Sequence, residues 1–337
     1  MTSSAVSRSR RRRLRGTAAL VTAAVFAVSA PAVADGQSAA LGGESRPARA
    51  RPTVVLVHGA FADSSSWNGV VARLQKDGYR VAAAANPLRG LPTDSAYVAA
   101  VLRSIQGPVV LVGHSYGGAV ISQAATGNPQ VKALVYVSAL IPDKGEVLSS
   151  LSAKFPGSAL DPALRRVPFK NADGTTGTDL YVAQEAFHAV FAADLPRTTT
   201  SVMAATQRPI AAAALADRAT SAAWRTIPSW AAVATRDKAL PPALERFEAR
   251  RAGSHTIEID SSHVGMISHP DAITDLIRAA ARAKSPATPS PATPSLAGTG
   301  SRALRLIGAA GGLFLAGAVL LAAGRTRPAS RRCGPRR

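Results

Sequence analysis

Residues 109–120 read VVLVGHSYGGAV: four consecutive apolar residues, then a serine set among glycines. A short, unbroken apolar run of this kind suits a strand buried on both faces, as in a parallel sheet covered by helices. Gly113-His114-Ser115-Tyr116-Gly117 fits the pattern G-x-S-x-G, a sharp turn from strand into helix that leaves the central side chain exposed. Glycines two before and two after the serine let the strand and the helix approach where a Cβ would clash, and Gly118 eases the same packing. With an apolar strand before it and a helical pattern after it, Ser115 reads as a candidate nucleophile.

A serine hydroxyl is a weak nucleophile at neutral pH and needs a base, itself oriented by an acid. On this kind of sheet the chain order is Ser, then Asp or Glu, then His, each on a loop at a strand's C-terminal end. Asp237 directly follows the apolar run WAAVAT, and His263 follows HTIEID just before the last helical pattern. Asp143, after ALVYVSA, is the alternative acid. Of the six histidines, His58 and His114 sit inside motifs and should point elsewhere. His255 opens a strand at the wrong edge, and His269, before Pro270, is placed to cap the final helix. His188 falls in a region read below as a lid, where it is either a substrate contact or a surface residue. His263 remains as the base. Attack by Ser115 places negative charge on a former carbonyl oxygen, which calls for preplaced backbone N–H donors. Tyr116, at a helix N-terminus, should supply one, and Ala60, after the turn His58-Gly59 in LVHGAFADSSSW, the other.

Outward from the serine, short apolar runs alternate with amphipathic stretches over residues 53–284, the pattern of an α/β fold with a mostly parallel sheet and helices on both faces. Strands are expected at 53–58, 80–84, 109–112, 133–138, 230–235 and 255–260, and helices at 66–77, 95–105, 116–126, 242–251 and 270–283. The alternation stops over about 143–225, which has no evident strand but helix-prone stretches at 180–192 and 209–218. This insertion is expected to be a helical lid over the strand ends, where open α/β sheets bind ligands. Phe187, Phe191 and Trp224 are candidate wall residues, and Phe61, His188 and Trp224 candidate substrate contacts.

The chain has 337 residues, 47% of them hydrophobic, and a formal charge of +20. Residues 1–34 carry six arginines and residues 285–337 carry eight, with no acid in either stretch. The body is therefore only mildly basic, and a nucleic-acid reading loses its main support. Residues 1–34 read as a signal peptide: a basic start, an apolar core and Ala32-Val33-Ala34 as the cleavage site. Arg11-Arg12 leaves the general and twin-arginine export routes both open. A linker, 35–52, leads into the body. Residues 285–300 form a Pro/Thr/Ser-rich spacer that ends in LAGTG, and 301–337 hold an apolar run long enough to span a bilayer, followed by an arginine-rich tail. The single cysteine, Cys333, lies in that tail, so the body has neither a disulfide nor a thiol nucleophile. The scattered histidines offer no metal-ligand cluster, and no cofactor is expected.

Two resemblances follow. LAGTG before an apolar run and a basic tail resembles the LAxTG sorting signals of actinobacterial cell-wall proteins, which implies cleavage between Thr299 and Gly300 by a sortase-type transpeptidase and transfer to the wall. A plain membrane anchor is the alternative. The body, from about residue 53 to 283, resembles the α/β-hydrolase superfamily, and more closely its methylesterase and hydroxynitrile-lyase-like branch. The resemblance rests on Val57-His58-Gly59-Ala60, on Gly113 to Gly118, on Arg236-Asp237-Lys238 followed by Pro241-Pro242, and on Ser262-His263 before Pro270. It implies a Ser115, Asp237 and His263 triad, an oxyanion pair at Ala60 and Tyr116, and small-molecule ester substrates. The lyases of that branch carry threonine where this chain has Gly59, and lysine where it has Val264, so hydrolysis is expected over lyase chemistry. A non-catalytic surface-binding module on the same fold is the further alternative.

Overall fold

The computed structural model describes residues 51–283. The signal peptide, nearly all of the linker, the spacer with LAGTG and the segment 301–337 lie outside the described residues. Among the described residues no helix is long and apolar enough to cross a membrane.

Among the described residues nine strands, numbered in chain order, form two sheets. The main one holds β1 (Thr53–Val57), β2 (Val81–Ala84), β3 (Val109–His114), β4 (Val131–Val137), β8 (Ser229–Ala234) and β9 (His255–Ile259). Their spatial order is β2-β1-β3-β4-β8-β9, every neighbouring pair parallel. Composition explains the order: TVVLV of β1 and VVLVGH of β3 are buried along their whole length, whereas HTIEI of β9, at an edge, is buried only at its last residue. After β1 the chain steps one way to β2 and then crosses back to β3. The right-handed crossovers therefore lay helices on opposite faces. Asn68–Lys76 packs against Pro270–Arg282, and Leu91–Arg103 against Tyr116–Ala124. The reversal between β1 and β3 is the point where such sheets open a crevice at the strands' C-terminal ends. Leu91–Arg103 starts four residues before the expected 95, because Pro92 sits in its first turn, where proline's fixed φ and missing N–H cost nothing.

The insertion departs from expectation. It contains the helices Leu148–Ala153, Gln184–Phe191, Arg197–Thr206 and Ala212–Ala216, but also three strands: β5 (Leu164–Lys170), β6 (Thr176–Val182) and β7 (Ile210–Ala211), paired antiparallel. The expected helix 180–192 splits, its first three residues belonging to β6. β5 is mostly exposed, so no apolar alternation marks it. The turn marks it instead: Asp173-Gly174, with Gly174 at φ 83°, closes the hairpin through Asn171 N–H to Thr175 O at 2.9 Å. Among the ties that hold the insertion over the strand ends are Phe61 N–H to Arg208 O (2.9 Å), Ala211 N–H to Leu88 O (2.9 Å), Ala159 N–H to Lys238 O (2.8 Å) and Ser262 N–H to Asp194 Oδ2 (3.1 Å). At the opposite edge, where the strands begin, Arg51 and Ala283 line one open depression of about 1090 Å³.

Candidate active site

At the end of β3 the backbone of Ser115 takes φ 54° and ψ −127°, a conformation costing a non-glycine residue on the order of 1–3 kcal/mol. Its surroundings hold it there. Ser115 N–H donates to Val137 O at 3.2 Å, and Ser115 O accepts from Gly118 (2.9 Å) and Leu140 (3.1 Å). The glycines are required by space. A Cβ on Gly113 would stand 2.6 Å from Gly117 O, one on Gly117 2.6 Å from Val57 O, and one on Gly59 2.5 Å from the Cβ of Ser115.

Two further loops at the same edge bring Asp237 and His263 together. Asp237 Oδ2 accepts from His263 Nδ1–H at 2.5 Å, while Oδ1 accepts from the amides of Ala239 (2.7 Å) and Leu240 (2.9 Å). All three carboxylate contacts are buried, so the ring is fixed with Nε2 as its free acceptor. Ser115 and His263 line one cavity of about 220 Å³, together with Ala60, Phe61, Tyr116 and Phe191. Among the described residues, the amides of Ala60 and Tyr116 donate to no protein acceptor. The next amide, Phe61, is already committed to Arg208 O, and Phe61 itself is held at φ 60°.

Electrostatics keep the neighbouring groups neutral. Burial pushes the His114 imidazole well down, and its Nε2–H donates to His263 O at 2.9 Å. Burial likewise lowers His58, whose Nδ1–H donates to Gly59 O (2.9 Å) and whose Nε2 accepts from Asn86 N–H (3.0 Å). Behind Asp237, the wholly buried Glu245 carboxyl is pushed well up, first by burial and then by the charge of Asp237, and accepts from Ala234 N–H at 3.1 Å. Asp237, by contrast, accepts from three donors.

The other sequence candidates lie elsewhere. Asp143 is paired with Arg225, whose hydrogen bonds hold its carboxyl below the usual range. His255 stacks on Trp230 with ring centroids 5.0 Å apart, and His269 holds the N-cap position of Pro270–Arg282. The expected substrate contacts His188 and Trp224 do not line the cavity. His188 bonds Thr200 Oγ1 at 3.2 Å within the insertion, and Trp224 donates its Nε1–H to Pro142 O at 2.9 Å beneath Arg225 and Arg251. Both serve lid packing, because each spends its polar atom inside the insertion. Phe191 reaches the cavity, and Phe187 packs behind it at 5.0 Å. The sequence reading missed Ser149, Ser152, Ser158 and Asp161, which give the cavity a polar side. No motif marks them, since they converge only when the insertion folds back. Among the described residues no group of three or more His, Cys, Asp or Glu side chains could hold a metal ion.

A family model described as "Alpha/beta hydrolase family" matches residues 54–276. The chain belongs to the alpha/beta hydrolase family. Its main sheet and the loops carrying Ser115, Asp237 and His263 all fall within the match. Relatives of this hydrolase include the alpha/beta hydrolase nvfD of Aspergillus novofumigatus, 28% identical over 260 residues that cover 68% of this chain and 97% of that one. A carbendazim hydrolyzing esterase of a Nocardioides species is 34% identical over 113 residues, 30% of this chain and 47% of the esterase. That second match thus spans about half the relative's length. In fold, the hydrolase is similar to polyneuridine aldehyde esterase, with a TM-score of 0.60 and 19% identity, over 68% of this chain and 99% of that one.

Proposed function

We propose that this α/β-hydrolase is an exported serine hydrolase that cleaves small or apolar carboxylic esters through an acyl-enzyme. The observation that carries the reading is the 2.5 Å bond between Asp237 and the His263 ring, beside Ser115 on a common cavity. Ser115 Oγ attacks the ester carbonyl and passes its proton to His263 Nε2. The oxyanion is met by the Ala60 and Tyr116 amides, and the imidazolium is stabilised by Asp237. Collapse expels the alcohol, which takes the proton from His263. Water, deprotonated by the same histidine, then releases the acid and restores Ser115. A cavity of about 220 Å³ lies below the ~300–1,000 Å³ of drug-sized sites, which supports small substrates. Esterases among the relatives support the reaction class. Lyase chemistry is disfavoured, because position 59 has no room for a side chain beside Ser115 and position 264 offers only a buried valine.

Ser115→Ala should leave a folded protein that no longer turns over p-nitrophenyl acetate or reacts with a fluorophosphonate probe. Retained turnover overturns the mechanism, and a wild type inert to the probe revives the binding-module reading. For its location we infer export through residues 1–34 and wall attachment after cleavage between Thr299 and Gly300. Mass spectrometry finding the intact C-terminal tail on the mature surface protein would rule out the sorting step.

A further inference from the structure

The insertion reaches past the cavity to the loop that carries the base. Asp194, in the turn after Gln184–Phe191, directs both carboxylate oxygens at Ser262: Oδ2 accepts its N–H at 3.1 Å and Oδ1 accepts its hydroxyl proton. Phe191 O lies 3.4 Å from the same hydroxyl oxygen, and the Phe191 ring meets the His263 ring edge-on with centroids 5.0 Å apart. Ser262 and His263 are consecutive and both nearly inaccessible, at 2% and 1% exposure. The donors sit on a buried residue, where an N–H left without an acceptor costs about 1–3 kcal/mol. Burial pushes the Asp194 carboxyl up, but hydrogen bonds led by those of Ser262 more than offset this and hold it below the usual range, so an anion faces the two donors. On the body side, His263 O is held by His114 Nε2–H. The loop is thus gripped from below by the sheet and from above by two lid residues, Asp194 and Phe191.

We propose that Asp194 is a positioning residue for His263, so that seating of the lid and alignment of the base are one event. The proposal rests on the serine mechanism above. When the lid is down, Asp194 fixes the backbone one residue before the imidazole. When it lifts, that restraint and the Phe191 wall leave together. Asp194 touches no reacting atom; it acts chiefly through Ser262, with a lesser bond to Ser268 beyond the histidine.

The test measures kcat and KM for p-nitrophenyl acetate on the full chain and on Asp194→Ala, Ser262→Ala and the double variant, with folding checked by circular dichroism and Ser115→Ala as control. Asp194→Ala should lower kcat at least about tenfold with KM within about twofold, since a small misplacement of the base costs rate and leaves the cavity intact. Ser262→Ala, which keeps the backbone bond, should lose about threefold. The double variant should be no slower than Asp194→Ala alone, because both act through one contact. Wild-type kcat in Asp194→Ala, a loss carried by KM, or losses that multiply in the double variant would overturn the proposal. Should Asp194→Ala fail to fold, Ser262→Ala decides: wild-type kcat overturns the proposal, and a lower kcat at unchanged KM upholds it. Turnover by Ser115→Ala would instead bring down the serine mechanism, an outcome distinct from all of these.

Discussion

The parallel sheet and the insertion above it are built on opposite terms. In the sheet, β1 and β3 each carry a four-residue apolar run and are buried along their length, so their place follows from the sequence pattern. In the insertion, β5 is largely exposed and is held by its pairing to β6, while the segments around the short helices are tied down by polar contacts such as Trp224 to Pro142 and Asp194 to Ser262. The loops of the sheet carry the reacting groups; the insertion shapes the space around them and, through Asp194, reaches the loop that carries His263.

That division can be broken by experiment. The largest effect should come from the sheet side: Asp237→Asn keeps the acceptor for Ala239 and Leu240 but turns an amide toward His263, favouring the wrong tautomer. It should lower kcat by about 10⁴-fold, or ~5 kcal/mol, in steady-state ester hydrolysis. In the insertion, Trp224→Ala should cost about 3 kcal/mol in denaturant unfolding while kcat/KM of the folded protein stays within about threefold. A collapse of kcat/KM would return Trp224 to the cavity wall.

At the joint between the two regions, Glu248 accepts Ile141 N–H at 2.8 Å, and burial pushes its carboxyl up to about 8 from an ordinary 4.5. The folded chain therefore holds a proton that the unfolded chain has released, and this group's contribution falls as pH rises from about 4.5 to 8. Glu248→Gln removes that dependence. Measured by thermal melting, its stability relative to wild type should improve by about 3 kcal/mol between pH 5 and pH 8. An unchanged difference would mean that Glu248 is ionised in the fold. The smallest effect belongs to the exposed strand: Val167, 46% exposed on β5, should accept Thr within about 0.5 kcal/mol and with unchanged activity.

The same contrast explains what could be read before any coordinates. The triad candidates sat at the ends of apolar runs, so the runs located both the strands and the loops that bring Ser115, Asp237 and His263 to one edge. Asp143 ends a run as well, and only its pairing with Arg225 sets it aside. Leu180 looked helical because β6 has little alternation and its partner strand ends six residues earlier across a turn. The Asp173-Gly174 pair was the readable sign of that hairpin. Ser149, Ser152, Ser158 and Asp161 carried no sign, since polar residues on a folded-back loop have no period. His188 and Trp224 looked like ligand contacts by type, but each had a nearer partner inside the insertion.

Arg51 and Ala283 line one depression at the edge where the strands begin, whereas Ser115 sits where they end. A tether that leaves the described domain at Arg51 or Ala283 therefore starts from the edge opposite the catalytic mouth. Immobilising it on a bead or displaying it on a cell by either end should leave substrate access unobstructed, and neither attachment needs to be engineered around the lid.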